Sequence, residues 1–188
     1  MREWSLHLLD IAQNSISAGA SRIEMRITFS ASSQELTVTV ADNGCGMTPQ
    51  QLERVTDPFY TTRTTRKVGL GVPLMKQSAE QTGGSFSIKS EVGKGTELSA
   101  RFCTNHVDCA PVGDLASTVV TLIALNDDRD FLLDIHTDQS SYTLDTHLLR
   151  TVLDPVPLNE AKVLQWIKEA LVEQTQNLSG GVKEYEIT

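Results

Sequence analysis

The sequence predicts an α+β fold, in which helices and antiparallel strands alternate along one chain. Three patterns indicate this class. Residues 4–18 repeat small and apolar side chains at helical spacing, residues 23–40 contain two runs of alternating polar and apolar residues, and residues 159–178 form a long amphipathic helix pattern. With 188 residues and 39% apolar content, the chain can bury one full core, or one domain with a large appendage.

The composition favours some classes of binding partner and some cellular compartments over others. The formal net charge of −8 argues against nucleic acid, because phosphate backbones require clustered Lys and Arg. No window reaches the roughly 18 uninterrupted apolar residues of a membrane span, and the N-terminus does not resemble a signal peptide. The three cysteines, an odd and small number, favour a reducing environment. We therefore expect a cytoplasmic protein that does not cross a membrane.

The first predicted helix, residues 4–18, has an apolar face and a polar stripe. The apolar face comprises Leu8, Ile11, Ala12 and Ser15, and the polar stripe comprises His7, Asp10, Asn14 and Ser17. The Asn14 amide oxygen suits Mg²⁺, which prefers oxygen ligands. Asp10, one turn earlier, is placed to act as a general base. A solvated polar face is the alternative explanation of the stripe.

The next two runs predict a β-hairpin over residues 23–40 that ends in a polar, glycine-rich turn. That turn reads Asp42-Asn43-Gly44-Cys45-Gly46-Met47. The Asp42 carboxylate can accept a hydrogen bond from an exocyclic amine such as that of adenine. Gly44 and Gly46 allow backbone to approach a flat ring without interference from a Cβ atom. An ordinary strand-ending turn remains the alternative, because Asp, Asn and Gly are common turn residues.

Residues 48–102 predict two helices and two further strands. Thr48 caps a short helix from Pro49 to Val55, and a helix over residues 71–82 precedes strands at 85–90 and 96–102. The turn before the last of these strands, Gly93-Lys94-Gly95-Thr96, either closes a hairpin or also brings the Thr96 hydroxyl near a purine edge.

A basic loop lies between the two helices, and residues 56–68 of it show no regular periodicity. From Pro58 to Ala79 the chain has no Asp or Glu but contains Arg63, Arg66, Lys67 and Lys76. A local positive charge in an acidic protein indicates a small anionic ligand. The sequence Gly69-Leu70-Gly71 opens the following helix, whose first amides favour phosphate oxygens.

The second half of the chain predicts a smaller α/β unit. Residues 118–125 and 130–136 are predicted as the two strands of a hairpin. Asp145 caps a short helix that ends at Leu153, and Asn159 caps the long helix that ends near Leu178.

The order of the motifs is more specific than any one motif. In chain order they are residues 10–14, 42–47, 57–63, 69–72 and 81–96. This series resembles the N-box, the first glycine box, the kinase-type F-box, the second glycine box and the closing stretch of the histidine-kinase-like ATPase superfamily. That superfamily, also called GHKL, includes gyrase B, heat-shock protein 90, sensor histidine kinases and the MutL mismatch-repair proteins. The resemblance covers residues 5–102.

The resemblance implies a Bergerat fold: a two-layer α/β sandwich with helices on a mixed, mostly antiparallel sheet, and ATP with Mg²⁺ under a flexible lid. It implies Asn14 as the Mg²⁺ ligand, Asp42 on the adenine amine and Thr96 near the same edge. The implied nucleotide-binding residues are Asn14, Ser17, Asp42, Gly44, Gly46, Met47, Lys67, Gly69, Leu70, Gly71 and Thr96. The implied catalytic residues are Asp10 as a possible base and the lid cations Arg63 and Arg66.

Two positions depart from the family pattern. Ser17 stands where many sensor kinases have a Lys, so the corresponding phosphate contact must come from the lid or be absent. Asp10 stands where gyrase-like members have the longer Glu, which puts its role as a base in doubt. The predicted domains are an ATP-binding domain at residues 1–104 and a C-terminal α/β extension at 105–188, which packs on the sheet or forms a dimer or partner surface.

The expected function is ATP-dependent phosphorylation of a partner protein. The alternatives are a slow ATPase or nucleotide-gated switch, and a nucleotide sensor without turnover. Over its whole length, the chain is similar to small stand-alone ATP-binding proteins that anaerobic bacteria encode beside hydrogenase or redox genes. That similarity implies a redox-related protein partner.

Overall fold

The computed structural model describes residues 3–57 and 71–179. Within these ranges the chain forms six helices and six strands, in the order α1 (Trp4–Ser17), β1 (Arg22–Ser30), β2 (Glu35–Asp42), α2 (Pro49–Arg54), α3 (Gly71–Gln81), β3 (Ser85–Glu91), β4 (Gly95–Cys103), α4 (Leu115–Leu125), β5 (Asp130–His136), β6 (Ser141–Asp145), α5 (Thr146–Leu153) and α6 (Ala161–Ser179).

All six strands belong to one sheet, in the spatial order β3-β4-β2-β1-β5-β6. Strands β1 and β5 pair in parallel, and every other neighbouring pair is antiparallel. Apolar side chains lie opposite one another across all six strands, in a row made by Ile88, Leu98, Val40, Met25, Leu133 and Leu144. The α+β class and the mixed, mostly antiparallel sheet are therefore confirmed.

The opposite face of the sheet is polar. Arg26 lies opposite Thr39 on β2 and Asp134 on β5. The Thr143 hydroxyl donates to Asp134 at 2.7 Å, and the Thr39 and Ser99 hydroxyls are 3.1 Å apart. Because side chains alternate between the two faces of a strand, one face is left to solvent and the other carries the core.

Helix α1 lies at the centre of the helical layer, in contact with both α3 and α4. Its predicted apolar face, Leu8, Ile11, Ala12 and Ser15, is buried. The first two amides of the helix donate to carbonyl oxygens of a distant segment, Trp4 to Pro111 and Ser5 to Val112. The chain between β4 and α4 therefore closes the start of α1, which otherwise leaves its amides unpaired.

The hairpin predicted for residues 118–136 is wrong. Residues 115–125 form helix α4, whose buried positions Leu115, Val119 and Leu122 follow helical spacing. The Asp114 side chain caps this helix by accepting from the Ser117 amide at 2.8 Å. Thr, Val and Ile favour strands, but packing of α4 against α1 and α6 overrides that preference.

Strand β5 pairs with β1 and with β6, and β6 was not predicted. The predicted cap at Asp145 is confirmed, since its carboxylate accepts from the His147 amide at 2.9 Å. Helix α6 begins at Ala161, two residues later than expected, and the Asn159 side chain instead donates to Asp127. In the ranges that the structure describes, no helix has both the length and the apolar character to cross a bilayer.

The domain boundary at residue 104 stays a prediction, and the sheet makes it testable. Strand β5 hydrogen-bonds along β1 from Arg22 to Thr28, so removing the C-terminal half leaves that edge unpaired. We expect a fragment of residues 1–104 to lack cooperative urea unfolding, whereas the full chain unfolds in one transition. A fragment with a sharp transition and dispersed amide resonances contradicts this expectation.

His7 makes the stability of the fold sensitive to acid. Its side chain is buried, Nδ1 has no hydrogen-bond partner in the described part of the chain, and Nε2 lies 3.4 Å from the Ser78 hydroxyl. Burial lowers the pKa of His7 from 6.5 to about 4. The unfolded chain therefore binds more protons between these values, and the free energy of unfolding falls as pH drops from 6.5 to 4.

We expect this loss to reach about 3 kcal/mol at pH 4. Urea unfolding at several pH values measures it. The His7→Gln variant should show a shallower pH slope than the parent over this window. Equal slopes for His7→Gln and the parent contradict the assignment.

Candidate functional site

The start of α3 lies against the polar stripe of α1. A Cβ atom added at Gly71 would lie 2.9 Å from the Cβ of Asp10 and 3.8 Å from Nδ2 of Asn14. Asp10 and Asn14 are partly exposed, while Gly71 is buried. The structure thus brings together three predicted site residues from two motifs, and the glycine permits the close approach of the two helices.

The Asp42 side chain is held at the end of β2 by two donors. The Ser15 hydroxyl of α1 donates to Oδ2 at 2.6 Å, and the Gly44 amide donates to Oδ1 at 2.9 Å. Ser15 follows Asn14 directly in α1. The candidate metal ligand Asn14 is therefore adjacent in sequence to the residue that holds Asp42, the candidate adenine-binding residue. The carboxylate is half-buried, so ligand can still reach it.

The turn after Asp42 is fixed to the chain between α1 and β1. The Asn43 side-chain oxygen accepts from the amides of Ser21 and Arg22, both at 2.9 Å. The Cys45 amide donates to the Ala18 carbonyl at 2.9 Å. These backbone contacts hold the turn rigidly beside the C-terminal end of α1.

Two glycines let this turn approach the β3–β4 hairpin. Gly46 has φ of +65°, and a Cβ atom there would lie 2.0 Å from the Glu91 carbonyl oxygen. Gly95 has φ of +102°, and its Cβ atom would lie 1.8 Å from the Asp42 carbonyl oxygen. Gly46 and Gly95 are thus required by protein packing, and the role of Gly46 under a ligand ring stays a prediction.

Thr96 lies directly opposite Asp42 on the neighbouring strand, on the helix-covered face of the sheet. Its hydroxyl is 2.9 Å from the Ser90 hydroxyl, which also accepts from the Met47 amide at 2.8 Å and donates to the Gly95 carbonyl at 2.9 Å. The predicted residues Asp42, Met47 and Thr96 are therefore neighbours. Ser90, which joins two of them, was missed because its sequence position on a strand carries no turn or motif signal.

Ser17 is exposed, and its hydroxyl donates to the Gln13 carbonyl at 2.7 Å, along its own helix. The remaining predicted residues are lid and glycine-loop positions that lie outside the described residues: Arg63, Arg66, Lys67, Gly69 and Leu70. Ser15 was assigned to the apolar face, and its link to Asp42 depends on a contact between distant parts of the chain.

Residues 5–106, a little more than half of the chain, match the family described as "Histidine kinase-, DNA gyrase B-, and HSP90-like ATPase". The chain belongs to this ATPase family. The family segment contains α1, β1 to β4 and the whole set of contacts described above. The implied ligand of the segment is therefore ATP, and the resemblance seen in the sequence is confirmed.

The chain is similar to the sensor protein SrrB of Staphylococcus aureus, which is 35% identical over 107 residues that cover 50% of this chain and 18% of SrrB. The chain spans less than a fifth of the length of the curated relatives that it matches. The relationship therefore concerns the ATPase segment and leaves the activity of the whole protein open.

One solved structure, an N-terminal domain of a DNA repair protein, is similar with a TM-score of 0.54 and 17% identity. The likeness covers 77% of this chain and 53% of that structure. Since the family segment ends at residue 106, a likeness of this extent also includes part of the C-terminal half. At this identity it shows the fold alone, and the Bergerat fold is confirmed.

Two glycines of the β3–β4 hairpin, Gly93 and Gly95, provide a test of the close packing beside Asp42. We expect Gly95→Ala to lower the free energy of unfolding by more than about 3 kcal/mol, because its Cβ atom would overlap the Asp42 carbonyl. Gly93→Ala is the matched control: it has φ of +78° but open space around its Cβ position, so it should cost only about 1 kcal/mol. Urea unfolding of both variants decides, and equal losses contradict the packing role.

Proposed function

We propose that the chain binds ATP with Mg²⁺ between α1, the turn after β2 and the start of α3. The observation that carries this proposal is the Asp42 carboxylate, held by Ser15 and Gly44 opposite Thr96, in a chain of this ATPase family. A half-buried carboxylate with two fixed donors is a directed acceptor, which suits the exocyclic amine of adenine.

Asn14 and the start of α3 supply the groups that suit the triphosphate. The Asn14 side chain is partly exposed beside Gly71, and its amide oxygen is a suitable Mg²⁺ ligand. The first amides of α3 favour phosphate oxygens, since α3 runs for eleven residues from Gly71. Mg²⁺, when bound with ATP, neutralises phosphate charge. Arg63, Arg66 and Lys67 remain the proposed lid cations, and Gly69 and Leu70 the proposed phosphate loop.

The proposed reaction is transfer of the γ-phosphoryl group to a side chain of a partner protein. The bond between the γ-phosphorus and the β,γ-bridging oxygen breaks, ADP leaves, and a bond forms to a nitrogen or oxygen nucleophile of the partner. The description of the family names histidine kinases, whose reaction is phosphoryl transfer, and this supports the proposal. The chain contributes positioning and charge, which account for most catalysis in phosphoryl transfer.

A redox-related partner, a homodimer and a cytoplasmic location are parts of this proposal.

A slow ATPase or nucleotide-gated switch is the second candidate. Asp10 lies against the first residue of α3, where a carboxylate can orient a water toward the terminal phosphate. Residues 18–21, which contact the glycine turn, also accept hydrogen bonds from the C-terminal half. The Ala20 carbonyl accepts from Arg129, and the Ser21 carbonyl accepts from the Asp130 amide. A nucleotide-dependent change at the turn therefore has a direct path to residues 129–130.

Calorimetric titration with Mg·ADP tests nucleotide binding. We expect Asp42→Asn to weaken binding about 10- to 100-fold, since hydrogen bonds to charged groups contribute about 1.5–3 kcal/mol. The control is Asp134→Asn, which removes a carboxylate from the open sheet face and should leave affinity unchanged. Absence of Mg-dependent ADP binding by the folded parent chain disproves the proposal.

Incubation with γ-labelled ATP and native cell extract separates the reactions. Label on a co-purifying protein supports phosphotransfer, and release of labelled inorganic phosphate supports the ATPase. The Asp10→Asn variant should lower phosphate release if Asp10 orients water, and should leave Mg·ADP affinity within about threefold, because the base acts only on the reacting atoms. Binding without label transfer or phosphate release indicates a sensor without turnover.

A further inference from the structure

Within residues 3–57 and 71–179, the buried Ser15 hydroxyl is the one side-chain donor to Asp42. Ser15 is 3% exposed, so its hydroxyl cannot exchange its partner for bulk water. It lies 2.6 Å from Oδ2 of Asp42 and 3.4 Å from the Ile11 carbonyl oxygen of its own helix. A serine has a single hydroxyl proton, and the shorter contact to a carboxylate takes it.

We propose that Ser15 is a positioning residue that gives the site its selectivity for an amine at position 6 of the purine. This inference rests on the proposed function, since it concerns the same nucleotide. Ser15 does not touch the base. It acts through Asp42, by fixing the plane of the carboxylate between the α1 hydroxyl and the Gly44 amide.

Each carboxylate oxygen keeps acceptor capacity after these contacts. An ionised carboxylate offers about four lone-pair positions, and the described part of the chain uses one on Oδ1 and one on Oδ2. With both oxygens anchored, the side chain cannot rotate about its terminal bond. The free lone pairs therefore keep one direction, and a donor on the ligand meets them without reorganising the protein.

The contact of Thr96 with Ser90 affects whether Thr96, opposite Asp42, can donate or accept a hydrogen bond. The Ser90 hydroxyl donates its single proton to the Gly95 carbonyl at 2.9 Å. The 2.9 Å contact between Ser90 and Thr96 admits either hydroxyl as donor, and in the arrangement in which Ser90 donates to Gly95 it is Thr96 that donates to Ser90. In that arrangement Thr96 keeps only lone pairs for a ligand, as Asp42 does.

Two facing acceptors favour a base with an N–H donor at position 6 and disfavour one with a carbonyl oxygen there. An unpaired oxygen facing two acceptors loses its water hydrogen bonds without replacement, which is the larger penalty in such sites. Selectivity between a 6-amino and a 6-oxo purine is therefore a property of four side chains, of which Asp42 and Thr96 face the base and Ser15 and Ser90 orient them.

Calorimetry with three Mg-bound diphosphates tests the role of Ser15 in the full-length chain. The probes are ADP, IDP and the diphosphate of unsubstituted purine riboside, which lacks any group at position 6. We expect Ser15→Ala to weaken ADP binding about tenfold, comparable to losing one oriented hydrogen bond, and to change the affinity for the unsubstituted diphosphate less than twofold. The ratio of ADP to IDP affinities should fall correspondingly.

Two further variants separate positioning from general structural support. Ser15→Cys keeps the side-chain volume but replaces a strong donor by a weak one, so its ADP affinity should fall in the same direction. In an Asp42→Asn background, Ser15→Ala should weaken ADP binding less than twofold further, because the acceptor that it orients has been changed. Ser99→Ala, which removes a hydroxyl pair on the opposite face of β4, is the matched control and should leave all affinities unchanged.

The outcomes distinguish the positioning role of Ser15 from the proposed binding of the nucleotide. Equal weakening of ADP and unsubstituted diphosphate by Ser15→Ala, or unchanged ADP affinity, overturns the positioning role while leaving nucleotide binding intact. Additive losses in the double variant overturn it too. If the parent chain binds none of the three diphosphates, the proposed function itself fails, and the role of Ser15 fails with it.

Discussion

The constraint on which this structure depends is the need to satisfy the Asp42 carboxylate at a half-buried strand end. A charged group with restricted access to water is costly unless fixed donors replace its hydration. Here one donor comes from α1 and the other from the turn that follows Asp42, while the hairpin of β3 and β4 approaches so closely that only glycines fit at Gly46 and Gly95. Helix, turn and hairpin are therefore positioned by one another. A change in any of the three displaces the Asp42 carboxylate.

Local patterns were sufficient for the elements within residues 3–57 and 71–103, because each element there has a periodicity and a stop signal that agree. Thr48, for example, was predicted to cap the short helix, and its side chain accepts from the Gln51 amide in a capping box. The second half differs. Residues 118–123 are β-branched at five of six positions, yet they form a helix, because α4 gains contacts with α1 and α6 that no local pattern reveals. The cap at Asp114 was the available signal, and it was overlooked.

The candidate site also contains some residues that the sequence predicted and others that it did not. Asn14, Asp42 and the glycines were found by motif order, which is a property of the chain alone. Ser15 and Ser90 were not found, since each gains its role from a residue far away in sequence: Ser15 is 27 positions from Asp42, and Ser90 is 43 from Met47. Ser15 also satisfied the apolar pattern of α1, so its burial was predicted correctly while its hydrogen bond was not. Sequence spacing thus predicts which groups face the ligand, whereas tertiary contacts decide which groups orient the side chains of the candidate site.

The short segment between α1 and β1 has a consequence for how this protein tolerates changes in length. Within four residues, carbonyl oxygens of Ala18, Ala20 and Ser21 accept in turn from the glycine turn, from Arg129 and from the start of β5. The segment is therefore tied to the glycine turn and to residues 129–130, and an added residue would break these hydrogen bonds. An inserted residue there would put every later carbonyl out of step with its partner. Tags, linkers and permuted termini therefore belong at the other end of the hairpin, where residues 31–34 are exposed.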